Sequence, residues 1–436
     1  MKVVLLAAGR SKRLKPIEDK IFLEFMGKSL LQHQLETLAE SGFNDFIIVG
    51  GKHNLDKIEK VCDPLPYKIH LVEQTDLNAG QAGGVLSALE ITQNESLIIV
   101  SSNDVVEKDA FKLMAASISD DLDGAIVGKK VSKYFPGGYL STDENNFITG
   151  IMEKPGEGNE PSDMVNIVIH YFEDGNTLAS YIRNAKTDSD DKYEVAVDKM
   201  IKDGMKIKAV PYDGFWQPIK YPWHVLDVMD FFLSKLEGIH SEDAEIADSA
   251  IIKGNVYLGK GVKVLDNAMV NGPTYIGDGS IVATNGLVRN SCVGKKCVVG
   301  FGTEVARSYF GNDVWTHTNY VGDSIIGNNV SFGSGTVTGN LRFDEKDIEV
   351  TIREQRISSG RNKFGLITGN NVRSGVNTSF MPGIKIGNNC CIGAGIVVEK
   401  DVDDGKFITG SWQLKEYENR LDISKVYRDE LKKKIA

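Results

Sequence analysis

Cysteine is scarce in this chain of 436 residues: Cys62, Cys292, Cys297, Cys390 and Cys391 are the five, and no two stand as Cys-x-x-Cys. An odd count without that spacing argues against a disulfide framework or a zinc site and favours reduced thiols in a cytoplasmic protein. Long apolar runs are missing too, none approaching the roughly 18 residues that cross a bilayer. The opening Met1-Lys2-Val3-Val4-Leu5-Leu6 runs straight into a strand pattern, unlike a secretory signal. Positive charge is not in excess. A net charge of −10 is the wrong sign for a nucleic-acid surface, which shows a basic patch. These absences leave a soluble cytoplasmic protein with neither membrane nor nucleic acid as partner, long enough for two or three domains.

What is present is a repeat. Ile246, Ile252, Leu258, Val264, Val270, Ile276, Val282 and Val288 are spaced six apart. With a quarter of positions aliphatic or Phe, that register arises by chance about once in sixty thousand. A period of six fits neither a helix stripe nor strand alternation; it marks a hexapeptide-repeat parallel β-helix. The register slips between Val288 and Val293 and resumes at Val299 and Val305, at Ile326 and Phe332, and at Phe380, Ile386, Ile392 and Val398. The solenoid is expected over 245–410. Leu341 to Phe364 interrupts it with charged, non-periodic sequence, which reads either as a binding excursion or as a solvated loop. Leu414 to Ile435 has a helical pattern ending in three lysines, read as a packing tail over 411–436.

The first half, 1–236, reads differently. Strand-length runs at Val3–Ala7, Phe46–Val49, Ile69–Val72, Leu97–Val100 and Ala125–Val127 alternate with helical patterns at Leu30–Leu38 and Val85–Ile91. That order predicts an α/β Rossmann-like domain, a mostly parallel sheet with helices on both faces and ligands beyond the strand ends. The first strand ends in Leu6-Ala7-Ala8-Gly9-Arg10-Ser11-Lys12-Arg13, with Lys20 following. Small residues beside cations can cradle phosphate, although a turn with solvated basic residues has the same composition. The loop is neither a Walker A motif nor Gly-x-Gly-x-x-Gly. The fourth strand ends at Asp104, which reads as a turn residue or as a Mg²⁺ ligand against phosphate oxygens.

Together with Glu153-Lys154-Pro155, Asn166 and Trp216…Pro222-Trp223, these motifs resemble the sugar-1-phosphate nucleotidyltransferase family over about 1–236. The resemblance implies that Leu6, Ala7, Ala8 and Gly9 hold the nucleotide, that Arg13 and Lys20 neutralise phosphates, and that Asp104 binds Mg²⁺. Gly138, Glu153 and Asn166 would contact the sugar, with Lys154 and Gln81 also in the binding region. Three positions depart from the pattern. Ser11-Lys12 replaces Gly-Thr, Gly80-Gln81-Ala82-Gly83 replaces Gly-Thr-Gly, and Pro218 stands where a metal-binding Asp or Asn is usual, with Asp213 as a nearby substitute.

In the second half, His317-x-x-Tyr320-Val-Gly-Asp-Ser-Ile-Ile-Gly, then Gly333 to Asn340, then Asn340 to Lys346 resemble the left-handed β-helix acyltransferases. The likeness is closest to the archaeal-type bifunctional glucosamine-1-phosphate acetyltransferase / N-acetylglucosamine-1-phosphate uridylyltransferases. It implies a left-handed solenoid with His317 as general base, Arg289 and Tyr320 on the sugar phosphate, and Asn340 and Lys346 in the acetyl-donor region. Ser331 stands where an Asn is usual. A His in a polar loop also serves purely structural ends, so His317 carries both readings. The implied substrates are an NTP (UTP or dTTP), a sugar 1-phosphate and acetyl-CoA, handled by a homotrimer or a dimer of trimers. The alternatives are a nucleotidyltransferase whose solenoid only assembles or regulates it, and a catalytically silent sugar-nucleotide sensor.

Overall fold

The computed structural model describes residues 1–92, 95–411, 413, 415–420 and 433. Strand alternation sorts the first strand, Lys2–Leu6, onto two faces. Val3 and Leu5 point into one core with Leu31, Leu35 and Leu38 of helix Leu30–Glu40. Val4 points into the opposite core with Val85 and Ala88 of helix Gly80–Leu89. The sheet is therefore covered on both sides. Its central strand pairs in parallel with Asp45–Gly50 and Leu97–Ser101, and Asp45–Gly50 pairs in parallel with Lys68–Glu73. Met164–Phe172 runs antiparallel to Leu97–Ser101 and carries the sheet on to Gly124–Lys130 and the edge pair Gly138–Thr142 and Ile148–Glu153. The expected mostly parallel, doubly covered sheet is present.

From Glu245–Ile246 to Phe407–Ile408 the chain winds as a three-faced parallel β-helix. The repeat aliphatics from Leu258 to Val398 form one continuous core. Ile246 is an exception at 37% exposure, because the first coil has a neighbour on one side only. The slip seen in sequence has a geometric cause. Cross-coil partners are eighteen apart at Val270–Val288, seventeen at Val288–Val305 and sixteen at Val305–Val321. Residues are lost from the turns while the strands stay in register. A ladder of side-chain amides runs up one corner: the backbone N–H groups of Lys295, Asn312, Asn328 and Asn370 donate to the Oδ1 atoms of Asn312, Asn328, Asn370 and Asn388, at 2.7–2.8 Å. All five thiols are free, and Cys297 and Cys390 fill the solenoid interior.

The excursion from Leu341 to Phe364 is not a solvated loop. It contains an antiparallel hairpin, Glu349–Ile352 with Gln355–Ser358. Its charged residues face outward while Ile348, Val350, Ile352 and Phe364 are buried. They enter a fourth core that joins the two halves, together with Leu14, Phe25, Trp223, Val225 and Met229 from the first half and Tyr309 and Ile367 from the solenoid. Polar ties flank this core. Arg361 is bonded to Asp227 of helix His224–Ser234, the backbone N–H of Glu24 donates to the Tyr309 hydroxyl at 3.1 Å, and Asn388 donates to the Pro16 carbonyl at 3.2 Å. The helix expected over Leu414 to Ile435 falls mostly outside the described residues. At 415–420 the chain is irregular and exposed. Among the described residues no helix is long and apolar enough to cross a membrane.

One buried polar chain lies inside the first domain. His170 is fully buried on strand Met164–Phe172, its Nδ1 2.7 Å from the Tyr193 hydroxyl and its Nε2 2.6 Å from Asn166 Oδ1. Asn166 offers an acceptor, so Nε2 carries the proton and Nδ1 accepts from Tyr193. Burial pushes the imidazole pKa down to about 3.

Two outcomes follow. Phe364→Ala empties a fully buried site between the halves and should cost about 3–5 kcal/mol, read by urea unfolding with Trp223 fluorescence, since that ring meets Phe364 edge-on at 6.5 Å. The second concerns pH. Unfolded His170 gains a proton near 6.5 that the folded state refuses until about 3, so its contribution is intact above 6.5 and is lost as pH falls. Between pH 7 and 5 the wild type should lose about 2 kcal/mol more than His170→Gln; equal losses in the two proteins would show that His170 titrates freely.

Candidate functional site

The cleft beyond the carboxyl ends of the parallel strands is built by two local devices. Ser102 donates to the Leu6 carbonyl through its N–H at 3.2 Å and its hydroxyl at 2.7 Å, locking the first and fourth strand ends together. Asn54, fully hydrogen-bonded inside, donates to the Ala7 carbonyl at 2.9 Å and to Asp19 Oδ2 at 2.8 Å. Asp19 caps the short 3₁₀ turn Lys20–Phe22, so Asn54 ties the glycine loop to the turn that presents Lys20. Ser11, which replaces glycine, sits at φ +47°, a conformation L-residues seldom adopt. A side chain at Gly9 would meet nothing within 4 Å, so the backbone there lies open to a ligand.

Four charged groups converge on the floor. Lys20 is buried, its Nζ donating to the Ile219 carbonyl at 2.9 Å. Burial, with Arg13 acting in the same direction and Asp104 against it, lowers its pKa to about 7. Lys220 donates to the Pro136 carbonyl at 2.9 Å and lies 4.0 Å from the Phe135 ring, its pKa lowered by burial to about 8. Asp104 is raised to about 6 by burial, with Lys220 and Lys20 opposing. Arg13 stands over the Tyr221 ring at 5.6 Å. Poorly solvated cations facing a buried carboxylate hold strong attraction for an anionic ligand. Sequence reasoning missed Lys220, although its Ile-Lys-Tyr-Pro-Trp setting is distinctive. It also missed Asn54, for which no local pattern exists.

Pro218 is the direct strand partner of Asp104, so no second carboxylate faces it from that strand. The carbonyl of Asp213, the expected substitute, accepts from Lys129 at 3.0 Å. Among the described residues no group of three or more metal-ligating side chains occurs. One carboxylate still suits Mg²⁺, which keeps several waters and takes its remaining ligands from substrate phosphates.

A second corner adjoins the floor. Glu153 is the strand partner of Gly138, and a Cβ on Gly138 would meet Glu153 Oε2 at 3.1 Å and Asn166 Nδ2 at 3.5 Å. The structure thus gathers Gly138, Glu153 and Asn166, with Lys154 paired to Glu153 at 2.7 Å. Burial and Glu153 together push Glu194 up to about 7. His170 fixes the Asn166 amide from behind. Gln81, at the start of its helix, keeps a buried Nε2 without a hydrogen-bond partner among the described residues.

In the solenoid, Arg289 pairs with Glu304 at 2.6 Å, and Glu304 is the strand partner of Tyr320. Asn340 donates to the Tyr320 hydroxyl at 3.0 Å and to Asp323 at 2.5 Å, and Asp323 receives a bidentate Arg307 at 2.6 and 2.7 Å. Tyr320 and Asn340 are therefore together, in a network with Asp323, which stood in the sequence motif without a role, and Arg307, which sequence reasoning missed. His317 lies exposed at the corner between Trp315 and Tyr320. Ser331 is on the neighbouring face, between Trp315 and Arg373. Lys346 is exposed on the excursion, its N–H bonded to Asp344.

Residues 3–234 match the model of the MobA-like NTP transferase domain. Over 420 residues the chain is 34% identical to a bifunctional sugar-1-phosphate nucleotidylyltransferase/acetyltransferase of Sulfurisphaera tokodaii, covering 93% of this chain and 99% of that protein. It is also 34% identical to the bifunctional protein GlmU of Methanocaldococcus jannaschii and to that of Methanococcus maripaludis, each over 94% of this chain and 97% of the relative. With a nucleotide-type cleft on a doubly covered sheet and a polar constellation on a β-helix, the chain belongs to the family of bifunctional sugar-1-phosphate nucleotidylyltransferase/acetyltransferases.

Proposed function

We propose that the N-terminal cleft joins a nucleoside monophosphate from UTP or dTTP to a sugar 1-phosphate, and that the solenoid acetylates a hexosamine 1-phosphate with acetyl-CoA before that step. The observation that carries the reading is the convergence of Arg13, Lys20 and Lys220 around Asp104 at the strand ends. In the first reaction a phosphate oxygen of the sugar 1-phosphate attacks the α-phosphorus, the bond to the β-phosphate oxygen breaks, and pyrophosphate leaves. Such a displacement asks for positioning and charge neutralisation more than covalent chemistry. Arg13, Lys20 and Lys220 neutralise the phosphates, Gln81 faces the base, and Gly138, Glu153 and Asn166 hold the sugar. Mg²⁺ held by Asp104 supplies further neutralisation of phosphate oxygens when bound.

In the second reaction the amine nitrogen attacks the thioester carbonyl, a proton passes to His317, and coenzyme A leaves as the thiol once reprotonated. Arg289 and Tyr320 would orient the sugar phosphate, and Asn340 and Lys346 the acetyl donor. The exposure of His317 supports a site completed by a neighbouring chain, in a trimer or a dimer of trimers. The single-activity reading draws on Ser331, whose shorter side chain replaces an amide at the sugar position.

Asp104→Ala and Lys20→Ala should each lower pyrophosphate release by roughly 10²- to 10³-fold or more, whereas Lys12→Ala should be mild. Full activity of Asp104→Ala would remove the metal assignment. His317→Ala should lower acetyl transfer by about 10²- to 10⁴-fold with nucleotidyl transfer nearly intact, product masses being followed for each NTP and sugar 1-phosphate with and without acetyl-CoA. A wild-type protein that acetylates no amino-sugar phosphate would favour the single-activity reading, and a strict monomer by light scattering would defeat the shared site.

A further inference from the structure

The hairpin inserted in the solenoid does more than pack. Its tip reaches the nucleotide cleft of the other domain: Arg353 lines the same cavity as Arg10, Lys12, Arg13, Lys20 and Lys220, six cations against the lining carboxylate of Asp190 and that of Asp104 beside Lys20 and Lys220. The reach is anchored. Ile352, immediately before Arg353, and Leu14, immediately after Arg13, are both buried in the core shared by the two halves. Each arginine is thus one residue beyond a fixed hydrophobic anchor. Lys385 bonds the Thr351 carbonyl from the coil beneath, and Gly383 (φ +74°) lets the coil pass close under Ile348 and Glu349.

The turn chemistry is unusual in the same place. The two-residue loop is Arg353-Glu354, with φ +47° and +70°. A hairpin turn with both central residues left-handed strongly prefers Asn-Gly, and nothing in the hairpin's own packing calls for an arginine there. Arg353 is exposed and has no ion pair at all among the described residues, although the hairpin is rich in charge. An unpaired guanidinium, held at strained backbone over a cationic cavity, repels its neighbours until an anion arrives.

We infer that Arg353 is a phosphate-binding residue of the nucleotidyl-transfer site, supplied by the solenoid to the β- and γ-phosphates of the NTP and to pyrophosphate in the reverse reaction. The inference rests on the reading of the cleft as the nucleotide site. Arg353 shares its cavity with Arg13, Lys20 and Lys220 and not with Gln81, Gly138, Glu153 or Asn166, so it stands with the phosphate-neutralising cations and not with the groups assigned to base and sugar.

The experiment uses the full-length protein and four variants, Arg353→Ala, Arg353→Lys, the double change R353N/E354G, and Lys20→Ala. Initial rates are measured in both directions, with UTP or dTTP and with inorganic pyrophosphate. Loss of one charge-assisted contact should raise KM for NTP and for pyrophosphate roughly 10-fold, with KM for the sugar 1-phosphate unchanged and partial recovery in Arg353→Lys. R353N/E354G is the decisive variant. It gives the turn its preferred residues and should unfold at the same or a higher temperature than wild type, yet it should show the same rise in KM. Wild-type KM values in Arg353→Ala and R353N/E354G, while Lys20→Ala is crippled, would overturn this inference alone. If Lys20→Ala is also fully active, the reading of the cleft fails with it.

Discussion

The structure depends on burying one hydrophobic surface between two unlike architectures. An α/β sheet and a β-helix each close their own core. What couples them is the cluster around Phe25, Trp223, Tyr309, Ile352 and Phe364, to which the first half, the coils and the inserted hairpin all contribute. Side chains of this size remove enough apolar area from water to fix the relative position of the halves. The flanking bonds, such as Arg361 to Asp227, then select one orientation among the many that oily surfaces alone would tolerate. Without that contact the nucleotide cleft would lack a wall and the hairpin would have no reason to stand where it does.

Electrostatics in the cleft follows from the same packing. Lys20 and Lys220 lose hydration because Ile219, Phe135 and the strand ends surround them, and their ammonium groups become easier to deprotonate. Asp104 loses hydration on the same floor and holds its proton more tightly. Each group is poorly solvated, so its charge is screened by little water. The solenoid network is organised differently. Tyr320, Asn340, Asp323 and Arg307 are joined by direct hydrogen bonds, which fixes their geometry, while His317 at the neighbouring corner is exposed.

Much of this was legible in the sequence because it is periodic or local. The six-residue spacing, the strand runs and the glycine loop are all patterns within a few residues, and the structure realises each. The slip after Val288 was visible as well, though not its cause, since only pairing across coils reveals that the turns shorten. Charge misled where burial decides. Between Leu341 and Phe364 the many charges left a binding excursion and a solvated loop equally open, because the alternation of Ile348, Val350 and Ile352 is too brief to stand out and Phe364 lies apart from it. Lys220 was overlooked because its role comes from partners such as Asp104, more than a hundred residues away. The same holds for Asn54, whose two contacts belong to the first strand and the turn at Asp19.

The amide ladder on the solenoid corner has an evolutionary consequence. Asn370 accepts from the N–H of Asn328 across an interruption that occupies most of the intervening 42 residues, yet its geometry is that of the uninterrupted step from Asn328 back to Asn312. The coil is therefore indifferent to what is threaded out between its rungs. An excursion can lengthen, shorten or change its sequence without disturbing the stack, so the solenoid offers a rack on which new arms can be tried. In a protein with a second domain packed alongside, such an arm becomes a route by which one enzyme can acquire residues for the active site of another.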